Sequence, residues 1–543
     1  MRFILFMLLP PATSKSRHAW CWLLAITTAH AAPARTDMFC MSPLTSWAHA
    51  CVSFACRVYQ QDPCILLQLP DPCLLAVLQH CADDPCSLFS AARAHSRLHL
   101  TAVLALSSIK TAVTDPRTAH KVVAYLTSHG QHIEELDMTN KESMRYAPVL
   151  RGMPNDMHKL TSLKLSRMLL QLMPGNYHHG VLGAAPRLKQ LQLHSCQLLD
   201  GEQGLTAALS ALPTLQHLSI TACVDQQSLG LTGDVLQGMQ QLTYLDMSGM
   251  VRDPAGLQHL QALTRLHDLR LCISGTVTAS MLSDLQLTHL EFYGQYNRGY
   301  FEPGALLGQT QLQHVVLRGC HILGDSAGVE QLLSLLQPLQ QLTFLNLSAS
   351  LYNIAPAAAY AALTASSKLQ YLDIRQCLLA EGVWQHIFPQ GRAGRQLPHL
   401  SCLDIGDVHH AQGLASAPEG SRLVSCCPGL QSLYMQGLLY SSQLLADLPK
   451  LSGLQQLTLW PCNRSSEGLE VVCQLTGLRE LHVTDPTTAE GLLLQLTQLK
   501  QLTRLHFRGT LSGVNWVKEY HVEVGDWVPA ETDTPFGPTW VCM

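Results

Sequence analysis

The chain has 543 residues, of which 47% are hydrophobic and only 14% charged, and its formal net charge is −4. That length exceeds one compact core and points to several domains or one extended array. The apolar content excludes a disordered chain, and the near-neutral balance without a basic stripe excludes nucleic acid and an anionic membrane as partners.

Residues 1–65 form a poorly defined N-terminal segment. "MRFILFMLLPP" carries a seven-residue apolar run and "CWLLAITTAHAAPA" a second run ending in small residues, with no acidic residue before Asp37. Pro10 and Pro11 interrupt the first run, and Lys15 and Arg17 separate it from the second. Two readings stay open: a targeting peptide, or a chain whose start lies at Met38 or Met41. Neither run reaches the roughly 18 residues that would span a bilayer. Eight of the nineteen cysteines fall before residue 90 at irregular gaps, with no C-x-x-C pair anywhere in the chain. That spacing fits no zinc ribbon or cross-brace. An odd number of cysteines in a large chain favours a reduced, intracellular protein over a disulfide scaffold.

Residues 66–112 obey a separate rhythm. Asp71-Pro72 is an N-cap with Pro in the first helical position, opening a helix through Leu74, Leu75, Val77 and Leu78. Asp84-Pro85 repeats the device ahead of Leu88, Phe89 and Ala92, and "RLHLTAVLALSSI" offers a third apolar stretch. The block is therefore expected to be a trio of helices, too small to bury its apolar surface alone. Asp115-Pro116 then begins another helix, closed by Gly130.

From residue 133 one phrase recurs, L-x-x-L-x-L, often followed by x-x-C or x-x-G. It reads "IEELDM", "LTSLKL", "LKQLQLHSC" and "LQHLSITAC", and continues to "LQQLTLWPC", "LRELHV" and "LTRLHF". Fifteen copies begin at 133, 160, 188, 215, 242, 266, 287, 312, 342, 369, 400, 430, 454, 478 and 502. Alternation within each phrase predicts a short strand with one face buried, and stretches such as "GLTAALSALP" and "AAAYAALTASS" predict helices between strands. The span 113–510 resembles the leucine-rich-repeat family. The resemblance implies an α/β solenoid, a horseshoe with a parallel sheet on its concave face and helices on its convex face. Residues 511–543 lack the phrase and are expected to be a C-terminal cap or tail.

Side chains two and four positions after each first leucine are expected to project from the concave sheet. The first row includes Tyr244, Asp268, His289, His314, Phe344, Tyr371, Gln456 and Glu480; the second includes Asp246, Arg270, Glu291, Asp373, Asp404, Tyr434, His482 and His506. Tyr244, Phe344, Tyr371 and Tyr434 are the expected anchors for a substrate protein. Cys196, Cys223, Cys320, Cys377 and Cys462 share the position where the turn after the strand points inward, and are expected to be structural.

Several motifs invite a chemical reading and are set aside. "GDSAG" at 324–328 matches G-x-S-x-G, but it follows a repeat strand rather than a central strand of a doubly wound sheet, so a turn into a helix capped by Asp325 or Ser326 is expected. His178-His179 and His409-His410 have no third ligand at a sensible spacing. The sequon at Asn346 falls in a strand phrase, and that at Asn463 matters only in a secreted chain. No phosphate loop or H-E-x-x-H is present. No catalytic, cofactor-binding or metal-ligating residue is expected.

The front block resembles an F-box on Leu69-Pro70, Leu74-Leu75, Val77-Leu78, Asp83-Asp84-Pro85, Leu88-Phe89 and the basic end from Arg93 to Arg97. It departs from that pattern in Cys73, in Ala94-His95-Ser96, and in the absence of a late Trp near Leu98 or His99. The resemblance implies a non-catalytic substrate receptor of a cullin-RING (SCF-type) ubiquitin ligase, cytoplasmic or nuclear. Leu69, Pro70, Leu74, Leu75, Leu78 and Leu88 would contact a Skp-type adaptor in the cullin complex, and the repeats would hold the substrate protein. The alternative is a scaffold, signalling or axonemal, whose front helices only cap the solenoid; a true N-terminal signal would instead make the chain secreted.

Overall fold

The computed structural model describes Leu74, Thr101, most of residues 107–508, and two short strands at Trp527–Ala530 and Thr539–Cys542. The interruptions within 107–508 are 114–115, 142–146, 151–152, 154–156, 173–181, 184, 223–232, 252–253, 391–395, 411–412, 415, 439–440, 461–468, 485–495 and 497. The chain divides into a unit of residues 1–102 and a larger unit of 103–543. In the first, Leu74 lies in a helix and is fully buried. Leu69, Pro70, Leu75, Leu78 and Leu88 lie outside the described residues.

The larger unit is built on one 17-stranded sheet. All fifteen phrases form its strands, and each strand pairs in parallel with the next repeat's, from Glu135–Asn140 through Asp268–Val277 and Tyr371–Asp373 to Arg504–Arg508. Equal positions in the phrase are opposite each other throughout: Tyr244 pairs with Asp268, Asp268 with His289, His289 with His314, and His314 with Phe344. The solenoid is thus a leucine-rich-repeat array, as its sequence resemblance implies. The sheet starts one strand earlier than the phrases do. Ser108–Val113, within and just past the expected third helix, pairs in parallel with Glu135–Asn140.

The register follows from burial. The first, fourth and sixth positions of a phrase face inward, and Leu342, Leu345 and Leu347 are 3%, 0% and 0% exposed. The same holds at Leu369, Leu372 and Ile374 and at Leu430, Leu433 and Met435. A slip of one residue would turn all of these into solvent, at about 1.5–3 kcal/mol for each side chain.

The return segments include both α-helices and 3-10 helices. The 30-residue repeat from Leu312 accommodates a twelve-residue α-helix, Asp325–Leu336. The 24-residue repeats from Leu242 and Leu454 return through 3-10 helices, Pro254–Ala262 and Leu469–Gln474. A 3-10 helix climbs about 2.0 Å per residue, against about 1.5 Å in an α-helix, so fewer residues cross the same depth. The "AAAYAALTASS" stretch is also 3-10, over Ala357–Thr364. The helix expected after Asp115-Pro116 runs from Pro116 to His129 and passes into a 3-10 turn at Gly130.

Many of the strands end in a left-handed turn. Arg167, Ser195, Ala349, Gln376 and Asp407 all have φ between 51° and 58°, and glycine takes the equivalent place at Gly319 and Gly437. The residue that follows is driven inward. Where it is cysteine the thiol donates to a carbonyl of the preceding repeat: Cys196 Sγ to Leu165 O at 3.3 Å, Cys320 to Phe292 O at 3.4 Å, Cys377 to Leu347 O at 3.1 Å. Burial raises all three thiol pKa values, Cys196 and Cys377 to about 11. These cysteines are structural; Cys223 and Cys462 lie outside the described residues.

"GDSAG" has a packing role. Gly324 is the helix N-cap, with φ 94° and no side-chain cap bond, so neither Asp325 nor Ser326 caps the helix as expected. Left-handed Gly324 and Asp325 bring the chain back on itself, and a Cβ at Gly328 would lie 1.7 Å from the Leu323 carbonyl oxygen. Ser326 is exposed on the first turn. No helix among the described residues is long and apolar enough to cross a membrane.

Urea denaturation would separate these roles. Leu345→Ala is expected to lower stability by roughly 2–5 kcal/mol and Gly328→Ala by roughly 1–3 kcal/mol, while Ser326→Ala leaves the midpoint unchanged.

Candidate functional site

The register turns each phrase position into a row across the sheet face. In the first row, His289, His314, Phe344 and Tyr371 come from four successive repeats and stack ring on ring. Centroids are 5.4 Å apart for His289 and His314, 4.1 Å for His314 and Phe344, and 4.1 Å for Phe344 and Tyr371. The last two pairs are tilted by only 12° and 3°. Parallel strands lie about 4.8 Å apart, so in-register planar side chains meet face to face. A shorter stack joins His217 to Tyr244 at 3.9 Å, with the Arg270 guanidinium 5.3 Å from the Tyr244 ring. All six rings are half-buried and present their edges to solvent. Burial lowers the pKa of His217 and His289, so both imidazoles are neutral near pH 7.

The second row, two residues on, is acidic beside the ladder, and its acids are tied into the structure. Asp246, Asn346, Asp373 and Asp404 each accept a hydrogen bond through Oδ1 from the backbone N–H two residues ahead, at 2.9–3.1 Å. At Asn346, Asp373 and Asp404 this Asx device satisfies the amide freed as the strand enters its turn. The remaining oxygens join across repeats. Asn346 Nδ2 donates to Asp373 Oδ2 at 2.9 Å, and Arg375 bridges Asp373 and Asp404, both at 3.3 Å. Asn346 is therefore buried in the network rather than offered as a sequon. Farther along, burial opposes ionisation of Glu291, but His314, Tyr293 and Arg270 outweigh it and hold its carboxyl below its ordinary value.

The four expected anchors all lie on this face. Phe344 and Tyr371 belong to the ladder and Tyr244 to the shorter stack, while Tyr434 stands apart in the second row with its hydroxyl donating to Gln456 Oε1 at 2.9 Å. Sequence reasoning placed His289 and His314 on the face but not as ladder members; the signal was four consecutive planar residues at one phrase position. It also missed a second stack at the strand exits, Tyr300 to His321 at 5.5 Å and His321 to Tyr352 at 4.8 Å. Tyr300 and Tyr352 are 40% and 36% exposed, and both stacks arise from the same central repeats. Of the two histidine pairs, His410 Nδ1 lies 3.0 Å from the Leu379 carbonyl, and His178 and His179 fall outside the described residues. No metal ligand was expected, yet the last strands bring Glu480, His482 and His506 together, with ligand atoms within 4.8 Å of one another.

No family model matches the chain, and no curated protein matches it. Among solved structures it is similar to a leucine-rich-repeat protein of Leptospira interrogans, at 14% identity over 76% of this chain and 92% of that one, with a TM-score of 0.43. An internalin of Listeria monocytogenes is 16% identical over 74% of this chain and 96% of its own, with a TM-score of 0.41. The plant peptide hormone receptor RGFR1, solved in complex with RGF2, is 12% identical over 76% and 77%, with a TM-score of 0.29. The likeness is one of fold.

Burial pushes the Asp404 carboxyl up to about 6, with Asp373 adding to the effect. A carboxyl whose folded pKa stands above its unfolded value stabilises the fold fully below about pH 4, and that contribution is lost as pH rises through about 6. Asp404→Asn keeps the acceptor for Gly406 without the charge. The wild type is expected to lose up to roughly 3 kcal/mol relative to this variant between pH 4 and 7. Urea midpoints of the two proteins that move in parallel across that range would refute the assignment.

Proposed function

We propose that the repeat array is a non-catalytic binding module that holds a protein partner on its sheet face. The ladder His289–His314–Phe344–Tyr371 carries the reading. Four half-buried rings in one stack form a rigid platform whose ordering cost is met within the fold, so little rotamer freedom is lost when a partner arrives. Its exposed ring edges suit the faces of aromatic side chains and aliphatic chains. The acids beside it are occupied by backbone amides and arginines, which leaves the ladder as the apolar centre and the ion pairs as its polar surround.

Within this reading, the front block supports a substrate receptor of a cullin-RING ubiquitin ligase, cytoplasmic or nuclear. Its support is the F-box-like pattern from Leu69 to Arg97 placed directly ahead of a repeat array. A receptor of this kind performs no chemistry; it raises the local concentration of substrate beside the conjugating enzyme. The alternative role is a scaffold whose front helices cap the solenoid.

Two measurements test the two levels. In a display selection of peptides against the purified chain, binders are expected to lose at least tenfold in affinity to Phe344→Ala/Tyr371→Ala; equal affinities for wild type and variant would remove the ladder as the site. Co-purification with a Skp-type adaptor is expected for the wild type and not for Leu75→Asp. A wild-type chain that retains no adaptor ends the ligase role and leaves the scaffold.

A further inference from the structure

The far end of the same sheet face has a different chemistry. Glu480 and His482 lie two residues apart on one strand and so share its face, and the register sets His506 of the next strand directly opposite His482. The imidazoles stack at 4.0 Å, and His482 Nε2 lies 2.9 Å from Glu480 Oε1. One ligand atom from each of the three residues falls within 4.8 Å of the others, and all three side chains are half-buried. We infer that this end of the sheet binds a divalent first-row transition ion of the zinc class through Glu480, His482 and His506.

Two imidazoles and one carboxylate are the donor set such ions take, with bonds of about 2.0–2.2 Å. Ligands around a tetrahedral ion at that radius stand about 3.4 Å apart, so His482 Nε2 and Glu480 Oε1, now 2.9 Å apart, open slightly, His506 closes in from within 4.8 Å, and one ring turns out of the stack. The ion would take the place of the hydrogen bond that now joins His482 to Glu480.

The surroundings hold the carboxylate for this purpose. Glu480 Oε2 accepts from Gln456 Nε2 at 3.2 Å, and Gln456 Oε1 in turn accepts from Tyr434 at 2.9 Å and from Ser432 at 2.8 Å. That chain fixes one oxygen and leaves Oε1 directed at the histidines. Hydrogen-bonded neighbours of this kind orient ligands and strengthen metal binding. One group opposes it: Arg504 Nη1 lies 3.9 Å from Glu480 Oε2 and is largely exposed. Its charge repels a cation and competes for the carboxylate. Three protein donors leave the ion with open positions facing solvent, where a partner's side chain or water completes the shell. The ion would also tie together the last two strands of the sheet, Glu480–Thr484 and Arg504–Arg508, the second of which pairs among the described residues only with the first.

The test is a titration of the full-length chain with cobalt(II), followed by its visible absorption, and with zinc(II), followed by calorimetry. His506→Ala and Glu480→Gln are each expected to abolish one equivalent of binding or weaken it at least tenfold. A control, His409→Ala/His410→Ala, is expected to keep that equivalent. Arg504→Gln is expected to tighten the site severalfold, a gain that a misfolded variant cannot produce. Equal stoichiometry and affinity in wild type and His506→Ala would overturn the site, as would an Arg504→Gln variant with no gain.

Discussion

Every feature of the array depends on the burial of three side chains per repeat in fixed register. A single repeat presents its leucines to one side and has nothing of its own to cover them. Stacking the next repeat supplies the cover only if the strands align position for position, because the inward and outward faces alternate residue by residue. Leu345, fully buried between the strands of its neighbours, states the constraint locally. The left-handed turns belong to the same constraint. Ser195, Ala349 and Gln376 sit in a conformation that disfavours a Cβ, and they do so because the turn must deliver Cys196, Ser350 and Cys377 into the space beneath the preceding strand.

Register that serves the core has a second effect on the opposite face. It places residues of one phrase position side by side at strand spacing, whatever they are. Planar residues then stack, as at His314, Phe344 and Tyr371, and acids crowd, as at Asp373 and Asp404. Crowded acids need counter-partners, and the fold supplies them from within: a backbone amide two residues on, an asparagine from the previous repeat, and Arg375 reaching across two strands. Charged residues on the sheet face are therefore less free than their exposure in the sequence suggests. The rings are the opposite case, because stacking uses their faces and leaves their edges open.

The strands and both outward rows were legible in the sequence because a leucine phrase of fixed length encodes a fixed geometry. What was not legible is what depends on neighbours across repeats. Ser108–Val113 carries no leucine phrase; "SIKTAV" pairs because Glu135–Asn140 otherwise presents an open edge. The helix type of each return does not follow from repeat length, since repeats of 27 residues return through an α-helix at Gly201–Ser210 and a 3-10 helix at Ala357–Thr364. The Asx turns were in plain view as Asp or Asn two residues ahead of Ser, Arg or Gly, in "NLS", "DIR" and "DIG", but their role appears only when the strand end turns left-handed. His482 and His506 are 24 residues apart in the chain, and only the register makes them neighbours. Spacing rules for metal sites search within a turn or a loop, so a pair joined through a sheet escapes them.

The same principle separates the two ends of the face by chemistry. At the centre, the phrase positions supply rings in one row and internally satisfied acids in the other, which yields a rigid platform with no open charge at its middle. At the last strands the rows supply Glu480 and Arg504 beside two stacked imidazoles, and the neutralisation is incomplete: Arg504 reaches Glu480 only at 3.9 Å, while His482 is already within hydrogen-bond distance. Donor atoms that converge on one side of a carboxylate, with only a distant and exposed cation on the other, are what distinguish this site from a structural ion pair. In the centre of the array Arg270 lies within 3.6 Å of both Asp268 and Glu291 and fills that role itself. The difference lies in the row, not in the fold, since both ends are built on the same strand register.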